Sequence, residues 1–273
     1  MQSTATTVVA VLCAIPGCLA AAYALHLVAL AIAAGFYRQE RHGCPPVSRL
    51  MVLVPAHDEA LLITRCIDSL REQTYPTGLY AVLVIADNCS DDTAMLARAA
   101  GADAVMTRDV PELRSKGHAL RWAMDQILPS ATAPDAVVIV DADSVAAPDF
   151  LTRLVEPFEA GARAVQCDSV IESDGRGQAA LREAAFLLAT RVRSAGRAVL
   201  GMSGHLFGNG MLLSSDLLRA RPWNAYSSAE DVEYSLNLRA GGVRIAFAGA
   251  AQLRSPAAPT AEASATQQLR WLG

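Results

Sequence analysis

No Asp, Glu, Lys or Arg occurs before Arg38, and residues 8–36 are almost wholly apolar. A run of this kind has few possible fates. A helix that is apolar all round has to be buried, and a spanning helix needs roughly 20 such residues. Pro16-Gly17 interrupts the run and marks either a kink or the start of the main span. Arg38, Arg41 and Arg49 follow at once. By the positive-inside rule, the downstream domain is expected on the cytosolic face of a membrane, most simply a bacterial inner membrane. A cleaved signal peptide would carry a basic start and a short apolar core. Here no basic residue precedes the run and the run is long, so a retained anchor is expected over residues 1–37.

Residues 38–48 read as a linker, with Gly43-Cys44-Pro45-Pro46 as its turn-forming part. Residues 49–273 then make one domain, large enough to bury a full core without staples. The formal net charge is −4 and no basic stripe with interleaved aromatics is present, so nucleic acid is not an expected partner. The cysteines are Cys13, Cys18, Cys44, Cys66, Cys89 and Cys167. None pair at C-x-x-C spacing and no His cluster accompanies them, which argues against zinc and against a small disulfide framework. Scattered cysteines suit a reducing compartment.

Strand and helix signals alternate along the domain. Residues 50–55 form a short apolar run ending in Pro and read as a buried strand. Residues 59–73 read as an amphipathic helix, with Leu62, Cys66, Ile67 and Leu70 on one face. Strands follow over 81–86 and 104–107, with Ser90 as the cap of the helix between them. The spacing predicts a helix over 116–128, a strand over 136–140, and a helix opened by Pro148. Further on come a strand at 163–171, a long helix at 177–200, and a bent strand at 206–214. A helix at 229–240 is closed by Gly241-Gly242, and a last strand covers 243–248. Residues 252–264 look loop-like, and 266–271 begin a helix. This order predicts an α/β domain with a largely parallel sheet.

In open α/β sheets, ligands bind beyond the carboxyl ends of the strands. Three polar clusters fall at such ends: residues 55–59, Asp87-Asn88, and Asp141-Ala142-Asp143. No G-x-G-x-x-G follows the first strand and no G-x-x-x-x-G-K-[ST] occurs, which disfavours dinucleotide-binding and P-loop readings. Asp141 and Asp143, one residue apart, would point the same way from an extended chain. Convergent carboxylates repel unless a cation lies between them. A hard divalent ion, Mg2+ or Mn2+, suits such a pair with substrate phosphate; ordinary turn and capping chemistry is the alternative.

Lys116 begins a helix, where a cation opposes the macrodipole unless a phosphate binds there. Glu230 and Asp231 open another helix. Ser227 with Glu230 fits a capping box, and a general base is the functional alternative. Gln267, Arg270 and Trp271 on a helix would offer an amide, a guanidinium fork and an indole face for phosphate and sugar. An amphipathic surface helix is the plainer reading of the same residues.

The ordered set 54–59, 87–91, 116–120, 141–144, Glu230-Asp231 and Gln267-x-x-Arg270-Trp271 resembles the inverting family 2 glycosyltransferases. It is most similar to their membrane-bound branch of cellulose, chitin and hyaluronan synthases. The resemblance implies a GT-A fold, a nucleotide-sugar donor and a saccharide or lipid-linked acceptor. It implies that Pro55, Glu59 and Asp87 line the nucleotide site with Lys116 and Asp141, and that Asp143 binds the metal. Asp231 would be the base. Gly208-Asn209-Gly210, Glu230, Gln267, Arg270 and Trp271 would serve the acceptor and the diphosphate. Two departures stand out. Ala229 precedes Glu230 where processive members usually carry Thr, and the sequence ends two residues after Trp271. A shortened or non-processive relative is therefore expected. A metal-dependent nucleotidyltransferase and a non-enzymatic scaffold of the same fold are the rival classes. The first would be expected to carry a Gly-rich basic loop where His57-Asp58-Glu59 stands.

Overall fold

A computed structural model describes residues 2–39, 45–172 and 177–256. Gln2–Ala34 forms one helix, α1, which continues through Pro16. Its segment Ala14–Ala34 is long and apolar enough to cross a membrane. Most of its described large side chains, among them Leu19, Leu25 and Ile32, are exposed, so this helix is not the core of the domain. The end of the helix is held against the domain: Leu30 and Ala33 are buried, and Tyr37 Oη donates to Phe247 O at 2.7 Å.

The domain is built on eight strands in the order β3-β2-β1-β4-β7-β6-β8-β5. β1 (Leu50–Ala56), β2 (Tyr80–Asp87), β3 (Ala104–Arg108) and β4 (Ala136–Ile139) are parallel neighbours. Whereas β3 at the sheet edge buries only Arg108, β1, β2 and β4 are short runs of mostly buried residues, as a sheet covered on both faces requires. β4 shows why. Ala136 and Val138 pack on one face with Ile63, Ile67 and Phe150, while Val137 and Ile139 pack on the other with Leu120, Met124 and Trp223.

β7 (Met211–Ser214) breaks the parallel pattern by pairing antiparallel with β4 and with β6 (Ala164–Glu172). Met211 lies opposite Ile139, so the chain enters β7 at the edge where β4 ends. That reversal brings residues 208–210 beside residues 141–143. The sheet is thus mixed, with its parallel half where the sequence pattern is most regular.

The remaining helices are α2 (Ile63–Arg71), α3 (Thr93–Ala99), α4 (Lys116–Ile127), α5 (Phe150–Glu159), α6 (Gly177–Leu187), α7 (Arg193–Val199), α8 (Ser215–Ala220) and α9 (Glu230–Ala240). Several differ from the sequence expectation. Residues 59–62 form a turn, and α2 starts only at Ile63. Ser90 does not cap α3; its backbone N–H donates to Asp58 Oδ1 at 2.6 Å. The long helix at 177–200 is divided by a π-helical turn, Leu188–Val192, inside which Thr190 Oγ1 bonds back to Phe186 O.

α8 is not evident from pattern alone because it has six residues; the Ser214 hydroxyl caps it by accepting from Leu217 N–H. Gly241-Gly242 ends α9 as expected. Gly242 takes φ +74°, and Val243 N–H reaches back to Leu238 O, a Schellman closure.

The last strand, β8 (Ile245–Pro256), is longer than expected, and residues 252–256 are strand rather than loop. Their polar residues are tolerated because partners on both sides, β6 and the two-residue β5 (Val145–Ala146), supply the ladder. A register shift at Cys167/Asp168 absorbs the extra residues of β8. The expected helix at 266–271, with Gln267, Arg270 and Trp271, lies outside the described residues.

Candidate active site

The carboxyl ends of β1, β2 and β4 and the entry to β7 meet at one edge of the sheet. Asp141 and Asp143 reach it by a turn, closed by Ser144 N–H to Asp141 O at 3.0 Å, and not by an extended strand. The turn leaves both carboxylates partly exposed, with Ala142 and Ser144 buried between and beyond them. Neither aspartate caps α5, which starts at Phe150.

Glu59 faces the same space from the turn after β1. Burial raises its carboxyl above the ordinary range, and the charges of Asp143 and Asp141 raise it further. Burial and then Asp141 do the same to Asp143. Glu59 and Asp143 thus carry their charged forms at a cost in a half-buried place beside Asp141, an arrangement that a divalent cation would relieve. The donor set is oxygen only, which fits Mg2+ or Mn2+.

A second trio, His57, Asp58 and Cys89, also brings ligand atoms together. It was not evident in the sequence, because residues 57 and 89 meet only through the β1–β2 pairing. Its groups are already engaged. His57 Nδ1 lies 2.8 Å from Asp87 O, His57 Nε2 contacts Arg114, and Asp58 accepts from Ser90. Burial raises the Cys89 thiol, so the thiolate that a metal needs is disfavoured.

Lys116 ties the site together. Ser115 caps α4, its hydroxyl accepting from His118 N–H, and this cap aims the first residue of the helix at the strand ends. Its ammonium donates to Asp141 Oδ1 and to Gly208 O, the latter at 2.7 Å, and lies 3.9 Å from Glu230 Oε1. Burial pulls its pKa down, but Asp141, Glu230 and Asp231 together hold it above the ordinary range. Gly117 is needed directly beneath: a Cβ there would stand 2.1 Å from Ala225 O.

The Gly208-Asn209-Gly210 segment does two jobs. Gly208, at φ +77°, lets the chain pass the Asp231 carboxylate; a Cβ would lie 3.3 Å from Asp231 Oδ2. Asn209 is buried and its amide is committed to the donor-side turn. It accepts from Asp141 N–H at 3.0 Å and donates to Ser144 Oγ at 2.8 Å. Gln166, which the sequence did not single out, fixes the segment in turn. Its amide donates to Asn209 O and accepts from Phe207 N–H.

Asp231 Oδ1 accepts from Val232 N–H at 2.8 Å, which leaves Oδ2 on the Gly208 side. Burial raises the Asp231 carboxyl, against the pull of Val232 N–H and Lys116. The capping box does not form. Ser227 Oγ donates to Glu233, and Ala229, with no side-chain bond, occupies the cap position. Glu230 is buried toward Lys116 instead.

Asp87 sits at the end of β2 but is buried against Arg108, whose guanidinium donates to Asp87 Oδ1. Its carboxylate therefore faces a partner that sequence reading did not supply. Asn88 beside it takes a left-handed φ of 51° and accepts from Val110 N–H. Pro55 lies on β1, half-buried, two residues before His57.

The fold and this edge define an α/β protein of the GT-A class. The structure superposes on a mannosyltransferase from Pyrobaculum calidifontis, solved with GDP-Man and Mn2+, at a TM-score of 0.67 and 22% identity. That match covers 92% of this chain and 72% of the other. Glucosyl-3-phosphoglycerate synthase from Mycobacterium tuberculosis, solved with Mn2+, UDP and phosphoglyceric acid, matches at a TM-score of 0.56 and 25% identity. There the coverage is 81% of this chain and 75% of the other. Residues 45–273 match the model of the glycosyltransferase-like family 2, and the chain belongs to that family. Among curated relatives, the β-monoglucosyldiacylglycerol synthases of Trichormus variabilis and a Nostoc species are each 28% identical over 208 residues. Each match takes in 74% of this chain and 43% of the relative, so the chain spans less than half of their length.

Proposed function

We propose that the protein is a membrane-anchored inverting glycosyltransferase that moves a hexose from a nucleotide sugar to the hydroxyl of a lipid acceptor. The observation that supports this best is the placement of Lys116. One ammonium links Asp141 on the donor side to Gly208 and Glu230 beside Asp231. Donor groups and a candidate base thus share one edge, with the base carboxylate oxygen facing a glycine that leaves room for an incoming hydroxyl.

Asp143, with Asp141, would hold the Mg2+ or Mn2+ ion, which supplies charge neutralisation for the diphosphate. Lys116 adds a fixed cation on the same side, and Glu59 keeps the pocket acidic enough to favour the divalent ion. Asp231 Oδ2 accepts the proton of the acceptor hydroxyl. The freed oxygen bonds the anomeric carbon as the bond from that carbon to the diphosphate oxygen breaks. The electron pair leaves with the diphosphate, and one displacement inverts the anomeric centre. Asn209 acts as a positioning residue that fixes the Asp141 turn.

A lipid acceptor is favoured by the apolar α1, which docks beside the domain, and by the diacylglycerol-glucosylating relatives. Arg38, shortly after α1, favours the cytosolic face for the domain by the positive-inside rule. Family membership favours sugar transfer over nucleotidyl transfer or a scaffold role.

The test is nucleoside diphosphate release by the full chain in neutral detergent with Mn2+. UDP-glucose and GDP-mannose are offered, each with diacylglycerol, with phosphoglycerate, or with no acceptor. Diacylglycerol-dependent release from one donor is expected. Pyrophosphate release, or no turnover with any pair, would contradict the proposal.

A further inference from the structure

Beside α1, three arginines gather around His205. Arg193 and Arg197 lie four residues apart on α7, and Arg239 comes from the last turn of α9. None of the three makes an ion pair among the described residues. Arg191, two residues before Arg193, differs: it is bonded to the buried Asp168. Arg239 Nη1 lies 3.3 Å from His205 Nε2, and Arg197 Nη1 donates to Ser203 O at 3.3 Å. The Nε atoms of Arg193 and Arg197 are buried and have no hydrogen-bond partner among the described residues. A buried donor left unpaired costs free energy, and guanidinium forks are matched by phosphate oxygens.

The cations feel one another. Burial lowers the Arg197 pKa and Arg239 and Arg193 lower it further, while burial and the same arginines push His205 down to about 4. A neutral His205 adds no charge near neutral pH, but its ring can share a hydrogen bond with Arg239.

The position of the cluster names the ligand. α7 lies against α1 so closely that a Cβ on Gly196 would stand 2.2 Å from Leu30 O. Gly196 is flanked in sequence by Arg197 and falls between it and Arg193. The neighbouring side chains Val199, Leu200 and Met202 are exposed and apolar, as is Leu188 on the π turn. With α1 read as a membrane span, a cation cluster rimmed by apolar side chains beside its end falls at the depth of phospholipid phosphates.

We propose that Arg193, Arg197 and Arg239 form a binding site for the phosphate of an anionic phospholipid, separate from the sugar-transfer edge, which docks the domain on its membrane. The choice of a lipid over free phosphate rests on reading α1 as a membrane span.

The test uses the full chain in a neutral detergent and follows thermal unfolding with added ligand. Short-chain phosphatidylglycerol below its micelle concentration is compared with short-chain phosphatidylcholine and with inorganic phosphate. Saturable stabilisation by phosphatidylglycerol alone is expected. Arg193→Gln with Arg197→Gln should weaken its apparent affinity at least tenfold. Arg197→Lys should weaken it less, and Arg254→Gln, on an exposed pair elsewhere, should leave it unchanged. Equal responses to phosphatidylglycerol and phosphatidylcholine, or an unchanged response in the double variant, would overturn the site. An equal, variant-sensitive response to inorganic phosphate would overturn the lipid as its ligand. Alkaline carbonate extraction of native membranes separates the two readings. A chain that is released yet still responds to phosphatidylglycerol refutes the anchor and keeps the site. A chain that stays but does not respond refutes the site alone.

Discussion

Gly210→Ala should damage the protein from a single added methyl group, and the structure says by how much. Gly210 takes φ +69°, a left-handed conformation that costs an L-residue about 1 kcal/mol. The added Cβ would also stand 1.9 Å from Cys167 Sγ, 2.9 Å from Leu253 Cδ1 and 3.0 Å from Cys167 Cβ. Cys167 and Leu253 are both buried, so neither can move aside freely. Overpacking of this kind costs roughly 1–3 kcal/mol. The total, about 2–4 kcal/mol, is a sizeable part of a stability of about 5–15 kcal/mol. It corresponds to a fall in Tm of about 5–15 °C. Thermal unfolding of the full chain in neutral detergent measures it. Adding Cys167→Ala removes the nearest atom, so the pair should couple favourably by about 1–2 kcal/mol and leave the left-handed cost behind. Strictly additive effects, or an unshifted Tm in Gly210→Ala, would refute the steric reasoning.

Arg108→Leu should cost about 3–5 kcal/mol, because it leaves the buried Asp87 carboxylate without its cation; denaturant unfolding checks it, and a loss under about 1 kcal/mol would count against it. The raised Asp231 carboxyl gives a pH signature. The base works only when ionised, so kcat/KM should be lost as pH falls through a pKa above that of an ordinary aspartate. A pH profile flat down to the ordinary aspartate range would oppose that assignment. For stability the sign is opposite to that of an ion-paired aspartate. The folded form binds its proton more tightly, so this group favours the fold most below its unfolded pKa. That contribution is lost as pH rises through the folded one.

The parallel half of the sheet was legible in the sequence because β1, β2 and β4 are continuous apolar runs ending in polar residues. Their ends mark the candidate site for the same reason. Features set by long-range pairing were not legible. β7 is antiparallel, and nothing in residues 211–214 states a direction. The polar residues 252–256 become strand only because β6 and β5 flank them. Ser227 and Glu230 match a capping box by spacing, but the folded chain gives Ser227 to Glu233 and turns Glu230 toward Lys116. Arg108 could not be linked to Asp87, nor Gln166 to the 208–210 segment, because each pair joins separate stretches of chain. Asn209 was singled out through its glycine neighbours, and its buried bracing role emerged only from its partners.

In the proposed mechanism Asp231 takes the acceptor proton without itself binding the donor. Asp231→Asn tests this most directly, with Mn2+-dependent nucleotide-sugar affinity and transfer rate measured on the same purified full chain. Donor affinity should be unchanged and the transfer rate lower by roughly a hundredfold or more, since an amide cannot accept the proton. Transfer near the wild-type rate would contradict it.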